Sequence, residues 1–249
     1  MPLSKLVKAA MIASLLVAAL CFWRKDVLPA PAGLRAELNE EPSQIEQKKA
    51  PFETEVNGVK YGIEPRYTYD LYGLVVSMHH SDAWWDYAHR EWGDHVNVVD
   101  LCVVWGANLR RDAYRAISFS NTQWECHYST GSTEAWQAFD ETAVSNNHMV
   151  TDAPGVARAL KNVHVGDQVH FRGYLADYTI YKDGAPAGKR VTSTTRKDSG
   201  PGACEVVYVE AFETLGSPNR IWRVAGRIAL VVFFLSVIAW FALPVKFDD

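Results

Sequence analysis

The sequence predicts a mainly β domain with a helical insert, flanked by an N-terminal and a C-terminal transmembrane helix. Three observations predict this: a long apolar run near each end of the 249-residue chain, alternating apolar residues in the central segments, and a central change to a helical period. We expect an anchor over residues 1–26 and a linker over 27–50. The β domain should cover 51–216, followed by a juxtamembrane segment and the second transmembrane helix over 217–249.

The C-terminal apolar run predicts a helix that crosses a membrane. Residues 228–245 contain no charge and lie between Arg227 and Lys246. At a rise of about 1.5 Å per residue, such a run covers most of a hydrocarbon core roughly 30 Å thick. A buried core helix, the alternative, would not account for the charged residues at both ends. We therefore expect the lipid bilayer to be a partner of this chain.

The N-terminal apolar run, residues 9–23, follows Lys5 and Lys8 and is typical of a secretory signal or an uncleaved anchor. We expect an anchor, because no suitable cleavage site lies directly after the run. Two spans place both termini on one side of the membrane and the central domain on the other. The two lysines favour a central domain outside the cytoplasm, in the periplasm-like space of a bacterial-type envelope.

Residues 27–50 predict a flexible linker, since they are rich in proline and charge and have no apolar period. Residues 52–63 predict a hairpin, because Asn57-Gly58 suits a two-residue turn with positive φ. Apolar patterns predict three strands after this hairpin, over 67–78, 96–106 and 115–129.

The apolar period then changes to that of a helix. A Ser-Thr pair at the start of residues 132–144 is suited to cap one helix, and a proline begins a second short helix over 154–162. The polar run SNNH, residues 145–148, is predicted as the end of the first helix. Strand patterns resume at residue 168 and continue to residue 216.

This order of elements resembles the OB-fold, a small Greek-key β-barrel with its helix between the third and fourth strands. The stretch GDQVHFRGYL, residues 166–175, is similar to the turn and strand GDxVxxxGxL of many OB-like barrels. The resemblance implies a binding face made by two loops. These are residues 79–95, named the aromatic loop, and residues 182–202, named the basic loop. Another small β-barrel or sandwich with a helical insert is the alternative.

The aromatic loop, HHSDAWWDYAHREWGDH, allows three interpretations. The first is a helix in which Trp85 and Trp92 pack on the β domain around His89. The second is a zinc or copper site, for which the candidate ligands are His79, His80, His89 and His95. The third follows from the runs AWWDYAH and EWGDH, which resemble the tryptophan-rich segments of haem-handling membrane proteins. That resemblance implies a haem or porphyrin ligand.

The basic loop combines lysines and arginines with hydroxyl side chains, which suits an anion such as a phosphate, an acidic sugar or a lipid head group. An exposed hairpin tip with solvated charges is the alternative. The two loops together give the predicted ligand-binding residues, which are Trp84, Trp85, His89, Trp92, Lys189, Arg190, Thr192 and Arg196.

The central domain has three cysteines, so at most one disulfide can form within it. Cys126 with Cys204 is the predicted pair, because both lie at strand-like segments beside polar loops while Cys102 lies in an apolar run. Three buried, reduced cysteines are the alternative. If Cys204 is a free, reactive thiol, a cysteine-dependent enzyme becomes a further interpretation, for which the candidate bases are His127, His148 and His170.

A formal net charge of −4 provides no basic surface for phosphate contacts, so nucleic acid is not an expected partner. The sequence designates no catalytic residue and leaves the cofactor unknown. We expect a membrane-anchored, non-catalytic binding or scaffolding module that engages a protein or an anionic envelope ligand through its aromatic and basic loops. The alternatives are a metal- or haem-handling domain built on residues 79–95 and an enzyme that depends on Cys204.

Overall fold

The computed structural model describes residues 2–46, 49–195 and 204–242. It is mainly β sheet with one long apolar helix at each end, which confirms the coarse prediction from the sequence. The chain divides into two units. One unit consists of Met1–Val27 with Pro218–Asp249, and the other is Leu28–Ser217.

The helical unit contains α1 (Leu3–Arg24) and α6 (Arg220–Ala242). Both helices are long and apolar enough to cross a membrane, with mean hydropathy of 2.2 and 2.3 over their most apolar windows. The two helices approach closely at Gly226, where an added Cβ would lie 3.0 Å from the Cβ of Cys21. A small residue at this point lets the two backbones pack together.

The β unit contains ten strands and four α-helices, besides short 3-10 turns, within the described residues. In chain order they are β1 (Ser43–Glu46), β2 (Phe52–Val56), β3 (Val59–His80), α2 (Tyr87–Trp92), β4 (Asn97–Val104), α3 (Ala107–Arg110), β5 (Ser118–Asn121), β6 (Cys126–Ser129), α4 (Thr133–Ala138), β7 (Val144–Val150), α5 (Pro154–Lys161), β8 (Gln168–Lys182), β9 (Ala185–Arg190) and β10 (Glu205–Gly216).

Five of these strands pair in a closed sequence: β3 with β4, β4 with β7, β7 with β10, β10 with β8, and β8 again with β3. The pair of β7 with β10 is parallel, and the other four pairs are antiparallel. The strands β1 and β2 pair with β3, and β9 pairs with β8. The hairpin β5–β6 is a separate small sheet.

The predicted hairpin over 52–63 is present. Val56 pairs with Val59, and the two residues between them have positive φ, 51° at Asn57 and 79° at Gly58. These values suit the two-residue turns that match the twist of the strands they join.

In the predicted motif over 166–175, Gly173 is required because a neighbouring strand passes close to its backbone. An added Cβ there would lie 1.9 Å from the carbonyl oxygen of Tyr208 on β10.

Alternate residues of β4 separate the core from a polar face. Val99, Leu101 and Val103 are buried in the main apolar core. Their neighbours Asp100 and Cys102 therefore project from the opposite face, since successive side chains of a strand alternate. Both of these are also buried, because other segments cover that face.

Two predicted elements differ from the structure. Residues 145–148 are not a helix end but the middle of β7, in which Asn147 and Met149 alternate with Asn146 and His148. The strand is polar because it carries buried side chains that are hydrogen-bonded or ion-paired, and this hid its period. Residues 115–129 are not a strand of the main sheet but mostly the small hairpin β5–β6, which the turn between residues 121 and 126 produces.

The segment 27–50, predicted as a linker, carries local structure. It contains two 3-10 turns and β1, and Leu38 is fully buried in a second apolar cluster. The side-chain amide of Gln168 donates to the carbonyl of Gly33 at 2.9 Å. The composition of this segment predicted only its loops, because a single buried leucine gives no apolar period.

Candidate functional site

Polar side chains from neighbouring strands meet on the face opposite the core. In the register of β4 and β7, Asp100 pairs with His148 and Cys102 pairs with Asn146. Cross-strand partners project from the same face, so these four lie together. Cys204 directly precedes β10, whose first residue pairs with the residue after Asn146. We name Asp100, Asn146, His148 and Cys204 the thiol face.

The thiol of Cys204 is half-buried and free, and its interaction with the imidazole of His148 helps to raise the pKa of that imidazole. The Nδ2 atom of Asn146 lies 3.5 Å from its Sγ atom, and the carbonyl oxygen of Trp124 lies 3.6 Å from it. His148 Nδ1 lies 2.8 Å from Oδ1 of Asp100. A thiol, an imidazole and a carboxylate thus follow one another in contact, as nucleophile, base and orienting group do in nucleophilic enzymes.

His148 and Asp100 form a buried ion pair. Burial lowers the pKa of His148, but the charge and hydrogen bond of Asp100 outweigh it and raise this pKa to about 9. Burial raises the pKa of Asp100, but His148 and a hydrogen bond from Asn97 outweigh it, so this pKa lies below its usual value. Because an unpaired buried charge is costly, each partner keeps the other ionised.

Arg190 closes one side of the thiol face. Its guanidinium lies 3.9 Å from the ring centroid of Trp124, a cation–π contact, and its Nη1 atom lies 3.1 Å from Nε2 of His148. Arg190 can donate to Nε2 only while that nitrogen carries no proton. The guanidinium therefore lowers the pKa of His148, whereas Asp100 raises it. Asp94 lies 3.8 Å from Nε of Arg190 and supplies a nearby negative charge.

A disulfide links the hairpin β5–β6 to β4 and holds it over this face. This disulfide differs from the predicted one. The bond joins Cys102 to Cys126, with a Cα–Cα distance of 5.7 Å, and Cys204 is a free thiol. The predicted pair of Cys126 with Cys204 is therefore wrong. Cys102 lies in an apolar run, but it projects from the covered face of β4 toward the hairpin, which sequence proximity could not reveal.

Trp124, in the turn of this hairpin, links the thiol face to the aromatic loop. Its carbonyl accepts a hydrogen bond from Asn146 at 3.1 Å. Its ring lies 4.1 Å from that of His89 and 5.3 Å from that of Trp92, between ring centroids. The side chain of Trp124 therefore contacts both predicted loops: it packs on α2 of the aromatic loop and on Arg190 of the basic loop.

Trp84 and Trp85 of the aromatic loop project into solvent, with 80% and 58% of their surface exposed. Trp92 is 55% exposed although it stacks on Trp124. His89, by contrast, is fully buried. The interpretation in which the loop packs on the β domain therefore holds for His89 and for one side of the Trp92 ring, both of which contact Trp124. It does not hold for Trp85, which is not part of these contacts.

The predicted residues of the basic loop have separate environments. Lys189 is exposed and lies 3.4 Å from Glu64, whereas Arg190 is on the thiol face. Thr192 is buried, and its backbone N–H donates to Asp177 at 3.0 Å. Arg196 lies outside the described residues.

Two of the four predicted metal ligands are brought together. His79 Nε2 lies 2.7 Å and His89 Nδ1 lies 2.6 Å from Oδ2 of Asp86. His80 and His95 are not members of this group. The sequence interpretation omitted Asp86, although its place three residues before His89 is that of a helix-capping aspartate.

Sequence reasoning also missed Asp100, Asn146 and Trp124. A signal was present for the first two, because an aspartate inside an apolar strand and an alternating Asn and His in SNNHMV both indicate buried polar groups that need partners. Trp124 carried no such signal, since its role depends on where the hairpin folds.

Comparisons of the chain with protein-family models, with curated proteins and with solved structures give no match.

Proposed function

We propose that this protein is a membrane-anchored domain that transfers acyl groups through the thiol of Cys204, outside the cytoplasm. The observation that carries the proposal is the contact series from Cys204 to His148 to Asp100. A face with only a structural role does not require a buried Asp–His ion pair beside a half-buried free thiol, whereas a nucleophilic enzyme does. The sequence left this interpretation as an alternative, because the predicted disulfide removed the nucleophile and no sequence pattern brought a histidine near Cys204.

The closed strand pairing supports an OB-like barrel as the scaffold. Antiparallel pairs β3–β4–β7 and β10–β8–β3, a parallel pair β7–β10, and a helix between β7 and β8 fit a small Greek-key barrel with five strands. In such a scaffold, the aromatic loop follows the first strand and the basic loop precedes the last. The thiol face lies between them, where a fold of this kind binds its ligand.

In the proposed reaction, His148 holds the proton of Cys204 as an imidazolium that Asp100 stabilises, so that Cys204 reacts as the thiolate. The thiolate attacks the carbonyl carbon of the acyl donor, and a thioester forms as the bond to the leaving group breaks. The imidazolium returns its proton to that leaving group. Water or a second acceptor then attacks the thioester, gives its proton to His148, and releases Cys204.

Arg190 and Asn146 are suited to stabilise the negative charge that develops in this reaction. Nη1 of Arg190 lies 3.1 Å from Nε2 of His148, and the amide nitrogen of Asn146 lies 3.5 Å from Sγ of Cys204. Both groups are fixed by other contacts, Arg190 on the ring of Trp124 and Asn146 on its carbonyl. Such preorganised donors act on the oxyanion without rearrangement. An acyl donor with a nearby anionic group suits the guanidinium.

The disulfide Cys102–Cys126 supports the proposed location. Disulfides persist in oxidising compartments such as a periplasm and are rare in the cytosol. Two apolar helices at the ends of the chain are consistent with tethering of the β unit to the membrane on that side.

The proposal is tested with the full-length protein in detergent micelles, using p-nitrophenyl acetate as the acyl donor. Intact-mass spectrometry should detect one acetyl adduct, and peptide mapping should locate it at Cys204. The His148→Gln variant should acylate at least about 100-fold more slowly, because base catalysis contributes this order of rate.

Matched variants make the result specific. Cys21→Ser removes the other free cysteine and should leave acylation unchanged, whereas Cys204→Ser should abolish the adduct. Arg190→Gln should slow acylation about tenfold through loss of charge stabilisation, and its neighbour variant Lys189→Gln should not. Acylation of His148→Gln at the rate of the unaltered protein would contradict the proposal.

The second candidate is the non-catalytic binding module predicted from the sequence. The exposed aromatic side chains of Trp84, Trp85 and Tyr87 favour it, because tryptophan and tyrosine are enriched in protein interfaces. A module of this kind should lose capture of its protein partner when Trp85 and Arg190 are replaced together. The Cys204→Ser variant should keep it, which distinguishes the two functions.

A further inference from the structure

A second group of buried side chains lies in the aromatic loop. Asp86 Oδ2 is 2.7 Å from Nε2 of His79 and 2.6 Å from Nδ1 of His89. These three ligand atoms all lie within 4.8 Å of one another. Each residue is more than nine-tenths buried. We infer that His79, Asp86 and His89 bind one divalent transition-metal ion, and that the donor set of two imidazoles and one carboxylate selects zinc.

Local structure aims these three atoms at one point. His79 lies near the end of β3, and Asp86 caps α2, with Oδ1 accepting the backbone N–H of His89 at 3.1 Å. Gln123 also donates to this oxygen, at 3.3 Å. Because Oδ1 is occupied by the helix cap, Oδ2 faces the two imidazoles. Gly93 then ends α2 in the left-handed conformation, with φ of 72°, and keeps the loop compact.

Asn97 provides an independent observation. Its side chain is 3% exposed, and its Oδ1 atom has no hydrogen-bond partner among the described residues. Its Nδ2 atom donates to Asp100 at 2.9 Å and lies 3.2 Å from Nε2 of His89. The side chain of Asn97 thus holds the outer nitrogen of His89, as residues behind a metal-ligating histidine do.

The three ligand atoms must rearrange to accept the ion, because two of the distances between them are 2.7 and 2.6 Å and the third is bounded only at 4.8 Å. Ligand atoms at about 2.0–2.1 Å from a tetrahedral zinc lie about 3.3 Å apart. Asp86 Oδ2 must therefore recede by roughly 0.6 Å from each imidazole. In the metal-bound form, the ion replaces the two protons that now lie between the rings and this oxygen. Two neutral imidazoles and one carboxylate leave a single positive charge on the site.

Solvent can supply both the cation and a fourth ligand. One cavity of about 470 Å³ is lined by His89, Asn97 and Asp82, and a second of about 450 Å³ is lined by His79, Trp85 and the same Asp82. Lys161 lines both cavities and pairs with Asp82 at 2.5 Å. The side chains of this pair are 50% and 58% exposed, so that solvent reaches the lining of both cavities.

The site is tested by zinc binding to the full-length protein in detergent, after chelator treatment and dialysis against zinc chloride. The unaltered protein should bind one zinc per chain, and zinc should raise its melting temperature. His79→Gln and Asp86→Asn should each weaken zinc binding at least about 100-fold, since even second-shell changes cost 10–100-fold. Asparagine also caps helices well, so Asp86→Asn should still fold.

Two controls locate the metal. His127→Gln changes an exposed histidine outside the group, and Cys204→Ser changes the proposed nucleophile. Both should retain one zinc. Loss of zinc in Cys204→Ser alone would place the metal on the thiol face and overturn the inference without affecting the acylation test. Stoichiometric zinc in His79→Gln and Asp86→Asn, or none in the unaltered protein, would also overturn it.

Discussion

The aromatic loop and the thiol face both bury contacts between histidine and aspartate, but they are assembled over different distances along the chain. His79, Asp86 and His89 belong to one strand end and the helix that follows it. Asp100 lies on β4 and His148 on β7, whereas Cys204 directly precedes β10. The aromatic loop is therefore visible in the sequence as an unusual local composition. The residues of the thiol face are far apart in the sequence, and none of them lies in a segment of unusual composition.

The two regions also differ in what surrounds the charges. The thiol face is covered by a disulfide-bonded hairpin, and Asp100 is fully buried. The aromatic loop exposes all three of its tryptophans and borders two cavities. Substitutions in the thiol face should therefore affect stability strongly, and those on the outside of the aromatic loop weakly.

The largest expected effect is that of Asp100→Ala. It leaves the buried His148 without its partner and should lower the free energy of unfolding by about 3–5 kcal/mol. Asp70→Ala is the matched control, because Asp70 pairs with His170 at 2.9 Å while its side chain is 43% exposed. An exposed pair of this kind should contribute at most about 1 kcal/mol. Chemical denaturation in detergent measures both losses, and equal losses would remove the distinction between a buried and an exposed pair.

The second prediction concerns the pH dependence of stability. The pKa of His148 is raised from 6.5 to about 9 in the folded state. Its contribution is therefore fully present below pH 6.5 and is lost as the pH rises through about 9. The free energy of unfolding should fall by up to about 3 kcal/mol across this interval.

The variant His148→Gln should lack this slope, since it removes the titrating group. The variant His170→Gln should retain it, because His170 lies on another face. Denaturation at a series of pH values compares the three proteins. A slope that survives in His148→Gln would assign the titration to a different group.

The smallest expected effects lie in the aromatic loop. Trp92→Ala removes a ring that stacks on Trp124 at 5.3 Å between centroids and should cost about 1 kcal/mol. Trp84→Ala changes a side chain that is 80% exposed and should alter stability by no more than about 0.5 kcal/mol. Thermal melting of the two variants tests this, and a larger loss for Trp84→Ala would indicate a buried role for that ring.

Some elements were predictable because their signals are local. The apolar runs gave both terminal helices, Asn57-Gly58 gave the hairpin over 52–63, and Pro154 gave α5. The strand β7 was missed because both of its faces carry polar residues. Asn146 and His148 lie on the thiol face, and Ser145 and Asn147 interrupt the apolar row on the core side that includes Met149.

For the candidate site, sequence identified Arg190, His89 and His79 as candidates but not their partners. Asp86 could have been recognised as the cap of α2, since capping depends on spacing within one turn. The contact of Cys204 with His148 could not, because it depends on the parallel pairing of β7 with β10. The wrong disulfide left Cys204 only as the nucleophile of an alternative interpretation, in which His148 was one of three candidate bases.

By itself, the sequence determined the mainly β unit, the two apolar helices, the hairpin turn and the unusual composition of the aromatic loop, since propensity, period and turn chemistry act over a few residues. Only the tertiary structure decided which cysteine is free and which histidine faces it. Disulfide partners and buried ion pairs depend on strand order and register. A shift of one residue in the register of β4 and β7 would turn Asp100 and His148 toward the core, and the thiol face would not form.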